Sequence, residues 1–256
     1  MSNYKINSIK DNSLFIKTDA YYELHNKMLS LKNDKGRIIH VMGAPGTGKS
    51  SNIYHALKSL GLKFYEPGLK LEDKKATSKD VFDQIFNDFK TDLDAETREE
   101  IYEKLTKYNL ILFADTFHDS PKHDNNLIGF SQWTEYTGFR SLPFYFLCIK
   151  EYLKRRSLFK NINIVFQTAW RLHFRGKKYD IFTDLGIISK IFTKILAVFF
   201  EVVIISYSTQ ELIKIVKAHD PLADDKIIRD YINDYGYKPR FILSQIEKDQ
   251  IEKDNP

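Results

Sequence analysis

The sequence holds one cysteine, Cys148, among 256 residues. An intrachain disulfide is therefore impossible, which suits a reducing compartment. The stretch Met1–Asn12 carries no apolar run, so no secretory signal peptide is expected and the expected location is cytoplasmic. No apolar segment is long enough to span a membrane. The most apolar run, Ile191 to Tyr207, is interrupted by Lys194 and Glu201. It reads instead as a buried helix leading into a buried strand. Neither charge sign dominates: 39 Lys and Arg against 34 Asp and Glu leave a formal net charge of +5. That balance permits a nucleic acid or an acidic membrane surface as a partner without requiring either. There is no internal repeat and no low-complexity segment. His118 and His123 stand near Asp119 and Asp124, but the spacing fits no zinc site and no cysteine completes one.

What remains is a globular composition. Hydrophobic residues make up 43%, charged residues 29% and aromatics 14%, enough to build a core and to argue against disorder. The length suits one α/β domain with a small appendage, or two small domains at most. Short β-branched or apolar runs at Arg37–Met42, Lys63–Glu66, Leu110–Ala114, Asn163–Phe166 and Val202–Ser206 read as strands. Helical periodicity lies between them: Thr18 or Asp19 to Leu31, Lys49–Leu60, a helix capped by Ser78, another capped by Asp94, Tyr145–Phe159, and one near residues 187–199. Residues 116–142 read as a long irregular connection. After Ser206 only helices follow, opening on the capping box Ser208-Thr209-Gln210-Glu211. The expected architecture is a three-layer α/β/α parallel sheet with a C-terminal helical lid. Residues 1–207 would form the core with an N-terminal helical extension, and residues 208–256 the lid.

One segment carries specific chemistry. Gly43-Ala44-Pro45-Gly46-Thr47-Gly48-Lys49-Ser50 matches G-x-x-x-x-G-K-[ST] between a readable strand and a readable helix. Glycines let backbone N–H groups approach phosphate oxygens, and the start of a helix favours an anion. Lys49 is expected to reach the β- and γ-phosphates, and Ser50 to offer its hydroxyl to Mg²⁺. With Ser51 in the first helical turn, residues 43–51 form the expected binding set for ATP. A carboxylate near Mg²⁺ is also needed, and Asp115 closes the apolar run Leu110–Ala114. Gln167 and Thr168 close another strand, and either could face the γ-phosphate, since neighbouring strand residues point to opposite faces.

The order of these features resembles the AAA+ and STAND group of P-loop ATPases, archaeal members included. The likeness runs from about residue 18 to 248 and rests on GAPGTGKS, LILFAD, IVFQT, VVIISYS and the turn Tyr235-Gly236-Tyr237-Lys238-Pro239-Arg240. It implies that Arg240, after a G-x-P-R-like turn, acts as a lid-borne sensor of nucleotide. Two departures stand out. Many such ATPases place Glu after the strand-end Asp, where this chain has Thr116; Asp119 or Glu135 are the alternatives for that work. Ring-forming members also carry an arginine before the last strand, where this chain has Ala197–Glu201; Arg171 or Arg175 would have to substitute.

Two stretches of the chain are rich in cations. Lys150, Lys154, Arg155, Arg156 and Lys160 crowd one helix end; Arg171, Arg175, Lys177 and Lys178 lie among Trp170, His173, Phe174 and Tyr179. Cations with aromatics suit nucleic acid, and they equally suit a solvated helix end and loop. The functions expected are an ATPase acting on DNA, a nucleotide switch acting on protein partners, and a small-molecule kinase. The G-x-P-R lid suits the first two.

Overall fold

The computed structural model describes residues 14–67, 75–114, 142–169, 171–174 and 177–254. Five parallel strands form the main sheet: β1 (Ile38–Met42), β2 (Phe64–Tyr65), β3 (Ile111–Ala114), β4 (Ile164–Thr168) and β7 (Glu201–Ile204), in the spatial order β2-β3-β4-β1-β7. Parallel neighbours need crossovers. These are supplied by α2 (Lys49–Ser59), α3 (Ser78–Leu93), α4 (Arg98–Lys107), α5 (Leu142–Lys154) and the single turn α6 (Arg156–Phe159). This is the α/β P-loop NTPase architecture.

Strand periodicity sorts the sheet into two faces. Ile39, Val41, Ile111, Phe113, Val165 and Val203 meet α1 (Asp19–Leu29) and α2 in one core. Leu112, Ala114 and Ile164 meet α3, α4 and α5 in another. At that second core a polar clamp joins the helices. Glu151, 6% exposed, accepts hydrogen bonds from Tyr102, Arg98 and Arg155, and Arg98 stacks on Phe86.

Past the sheet, α8 (Thr209–His219), α9 (Asp225–Tyr235) and α10 (Pro239–Asp254) enclose their own cluster of Leu212, Val216, Ile228, Ile232 and Ile242. The capping box at Ser208 is formed, and its Glu211 also accepts from the Asp19 amide, so one carboxylate caps α1 and α8 together. Burial opposes ionisation there, but these amides and the Ser208 hydroxyl hold Glu211 below its ordinary range.

Four expectations need correction. Thr77, with Asp80, caps α3 in place of Ser78. Asp94 ends α3 in the left-handed region, which a short polar side chain tolerates, and Thr97 caps α4. Residues expected to be loop form an antiparallel hairpin, β5 (Arg171–Phe174) with β6 (Lys177–Asp180). The helix expected to be buried, α7 (Ile187–Ala197), carries most of its large apolar side chains on the surface.

Candidate nucleotide site

The loop after β1 runs Gly43–Gly48 into α2. Met42 is buried and pairs with Thr168 on one side and Ile204 on the other, so the loop leaves the sheet between two strand ends. Gly46 and Gly48 take φ of 84° and 80°, the left-handed region that favours glycine. A Cβ on Gly43 would lie 2.9 Å from the Ile205 carbonyl oxygen and 2.9 Å from Thr47 Oγ1. Gly48 is the N-cap of α2, whose first amides lack intrahelical acceptors and point toward the loop.

The charged member of the loop is already held in place. Lys49 is 8% exposed, and its Nζ donates to the Gly43 and Ala44 carbonyls at 2.8 and 3.1 Å. A triphosphate would offer charged oxygens in exchange for these carbonyls. Thr47 Oγ1 donates to Ala44 O at 2.9 Å and tightens the turn.

The two polar residues at the end of β4 separate. Gln167 pairs with Val41 on the α2 face, and its Nε2 donates to Ser50 Oγ at 3.1 Å. Thr168 lies on the opposite face, where its hydroxyl meets His40 Nε2 at 2.5 Å. Of the two alternatives, Gln167 is the one beside the loop, and the face chosen by strand parity turns Thr168 away. His40 itself stacks on Phe166 with ring centroids 4.1 Å apart, and burial pushes its imidazole down to about 3.

The lid also reaches the loop. The Arg240 amide donates to Gly46 O at 3.2 Å. A Cβ on Gly46 would stand 3.1 Å from the Phe241 ring and 3.4 Å from Arg240 Cβ. The Arg240 side chain is exposed beside this contact. A second strap comes from the connection between β7 and α8. Tyr207 packs against both the sheet core and the lid cluster. Its hydroxyl donates to Thr47 O at 2.5 Å and accepts from Asn52 Nδ2 at 3.2 Å. Burial pushes the Tyr207 phenol up to about 12, so it keeps its proton and remains a donor.

Tyr207, Asn52 and Phe241 escaped sequence reasoning. Tyr207 had one available signal: it directly precedes the capping box, where sheet and lid must join.

Asp115, Thr116, Asp119, Glu135, His118, His123, Asp124, Trp170 and Arg175 lie outside the described residues. Among the described residues no cluster of His, Cys, Asp and Glu could hold a metal, and no helix is long and apolar enough to cross a membrane. Of the basic positions, Lys154 and Arg156 are exposed. Arg155 is not available to an outside anion: it is ion-paired to Glu151 at 2.7 Å and Glu99 at 2.8 Å, with its side chain 10% exposed. Arg171, Lys177 and Lys178 sit on the hairpin strands, Arg171 opposite Asp180 and Lys177 opposite Phe174.

The residues fit a nucleoside triphosphate. The loop has glycine where a side chain would collide, a buried lysine at its base, a hydroxyl at the head of the helix, and an amide side chain against that hydroxyl. No family model and no curated protein matches the chain. Among solved structures it is similar to AMPPCP-bound DnaA from Aquifex aeolicus, at 17% identity over 91% of this chain and 62% of that one, with a TM-score of 0.42. It is also similar to Cdc6p from Pyrobaculum aerophilum, at 12% identity over 85% and 56%, with a TM-score of 0.42. The chain spans less than two thirds of either, and likeness at this level carries no argument about the site.

Proposed function

We propose that this chain is an ATP-binding P-loop ATPase of AAA+/STAND type, which hydrolyses ATP to drive or switch a DNA-associated process. The observation that supports the reading is the seat of the lid on the loop: Arg240 and Phe241 rest on Gly46. A lid seated on the phosphate loop is what a nucleotide-gated switch requires, since ligand in the loop can then change the lid's position.

In this reading residues 43–51 cradle the phosphates and Lys49 neutralises the β- and γ-oxygens. Ser50 and Asp115 would hold Mg²⁺, which when bound offsets the charge developing on the transferred phosphoryl group. Gln167, already against Ser50, orients beside the γ-phosphate, and Arg240 reports its presence to the lid. Catalysis is positioning and electrostatics around in-line attack by water. Residues 1–207 act as the core and 208–256 as the lid, in the cytoplasm. DNA would meet Lys154, Arg156 and the hairpin bearing Arg171, Lys177 and Lys178, with Arg155 withdrawn from that set.

The test is ATP turnover by the purified protein, with and without DNA, beside Lys49→Ala. Turnover that rises with DNA and falls at least ~100-fold in the variant is the expected result. A second reading, a switch acting on protein partners with weak or no hydrolysis, is favoured by Thr116 in the place of the usual Glu. Nucleotide binding that needs Lys49, with no turnover under any condition, would establish that reading over the first.

A further inference from the structure

The helix α7 is turned the wrong way round for a water-soluble surface. Ile187, Ile188, Ile191, Phe192, Ile195 and, just beyond its end, Phe199 are between 44% and 76% exposed. At 100° per residue these six fall on one continuous stripe. The opposite side, which faces the protein, carries Ser189 and Thr193. Ser189 is buried and bonds Ile181 O and Leu185 N, while the Thr193 hydroxyl is buried without a partner among the described residues. Water alone would favour the reverse orientation, so something other than water covers the stripe.

Charge and size decide what that is. Lys190 and Lys194 are exposed and border the stripe on one side, and residues 187–200 contain no Asp or Glu. The acids at either end are engaged: Asp184 with Lys238, and Glu201 with Arg37. The lysines of a second copy docked face to face would therefore find no free acid bordering this stripe. The helix is about 16 Å long and about 10 Å wide, so the stripe alone is a small patch beside the roughly 20–30 residues that each partner of a stable protein interface contributes. A bilayer sets no such minimum, and apolar side chains bordered by lysines match its acyl and anionic headgroup layers.

We propose that α7 is a membrane-surface helix, laying its apolar stripe into an anionic lipid bilayer with Lys190 and Lys194 at the headgroups. The proposal stands apart from the nucleotide reading and survives its failure. The experiment is co-sedimentation of the full chain with vesicles of phosphatidylcholine alone, or of phosphatidylcholine mixed equally with phosphatidylserine. Binding is expected on the mixed vesicles. The double variant Ile191→Ser, Phe199→Ser should weaken it by ~100-fold. The variant Lys190→Gln, Lys194→Gln should weaken it by roughly tenfold and reduce its salt dependence. All these side chains are exposed, and circular dichroism checks that each variant is folded. Failure of the folded protein to bind mixed vesicles would overturn the proposal. So would binding indifferent to both variants, or a concentration-dependent dimer that the double serine variant abolishes, which would assign the stripe to a second copy.

Discussion

Strand β1 and helix α7 are written in nearly the same alphabet. One reads IIHVM and the other IISKIFTKILA. Yet Ile39 and Val41 are fully buried, while Ile187 and Ile191 stand in the open. The strand is interior, flanked by β4 and β7 and covered on both faces, so its apolar side chains have protein to meet. The helix packs through two small polar residues and leaves its apolar arc outside. Hydrophobicity says that water should be excluded from a segment; what excludes it is decided by the neighbours.

The sharpest break in that comparison is a matched pair of serine substitutions. Val41→Ser places a hydroxyl and a void in a fully buried site and should cost about 3 kcal/mol. Ile191→Ser should stay within about 0.5 kcal/mol, since its site is already wet. Urea denaturation of both variants makes the measurement. Equal losses would mean that α7 is buried in solution.

The next largest effect lies in the same strand. His40 is held neutral by burial, with its folded value at about 3 against an ordinary 6.5. Unfolding releases an imidazole that takes up a proton below that ordinary value. The stability contributed is complete above 6.5 and is lost progressively as pH falls toward 3. The groups packed around the ring are Phe166, Phe182, Phe200 and the Thr168 hydroxyl, none of which carries a charge to oppose the effect. His40→Phe should flatten the acid side of the stability profile, at the cost of about 1 kcal/mol above neutral pH for the orphaned Thr168 hydroxyl. Thermal melts across pH would detect both changes.

These cases mark what the sequence could disclose. The glycine-rich loop between β1 and α2 was legible because its residue types stand at fixed spacing, and the parallel sheet because each strand is a short apolar run bounded by polar residues. Gln167 against Thr168 could be narrowed only to a pair, since parity was known but not which face held the loop. Arg155 looked like one more surface cation: Glu151 stands four residues before it at helical spacing, but Glu99 comes from the distant α4 and shows only in the fold. The exposed face of α7 was hidden for the same reason: periodicity reports a stripe, not its orientation toward the protein. Tyr207 illustrates the point for the site itself, where a residue without any motif ties three elements together.

That residue supplies the smallest of the expected effects. Tyr207→Phe keeps the ring between the sheet core and the lid cluster, and so preserves the packing that joins them. It removes the hydroxyl that donates to Thr47 O and accepts from Asn52. Thr47 O belongs to the loop and Asn52 to α2, so the loss falls on the loop's rigidity more than on the fold. A stability change of about 1 kcal/mol is expected, with nucleotide affinity weakened by roughly threefold to tenfold, because the loop must then be ordered by the ligand. Titration with a fluorescent ATP analogue, set beside Ile191→Ser as the control, measures the second effect. An unchanged affinity in Tyr207→Phe would mean that the glycine backbone and the Lys49 contacts alone hold the loop in its binding form. The contacts of Arg240 and Phe241 with Gly46 would then be the ones through which the lid bears on the loop.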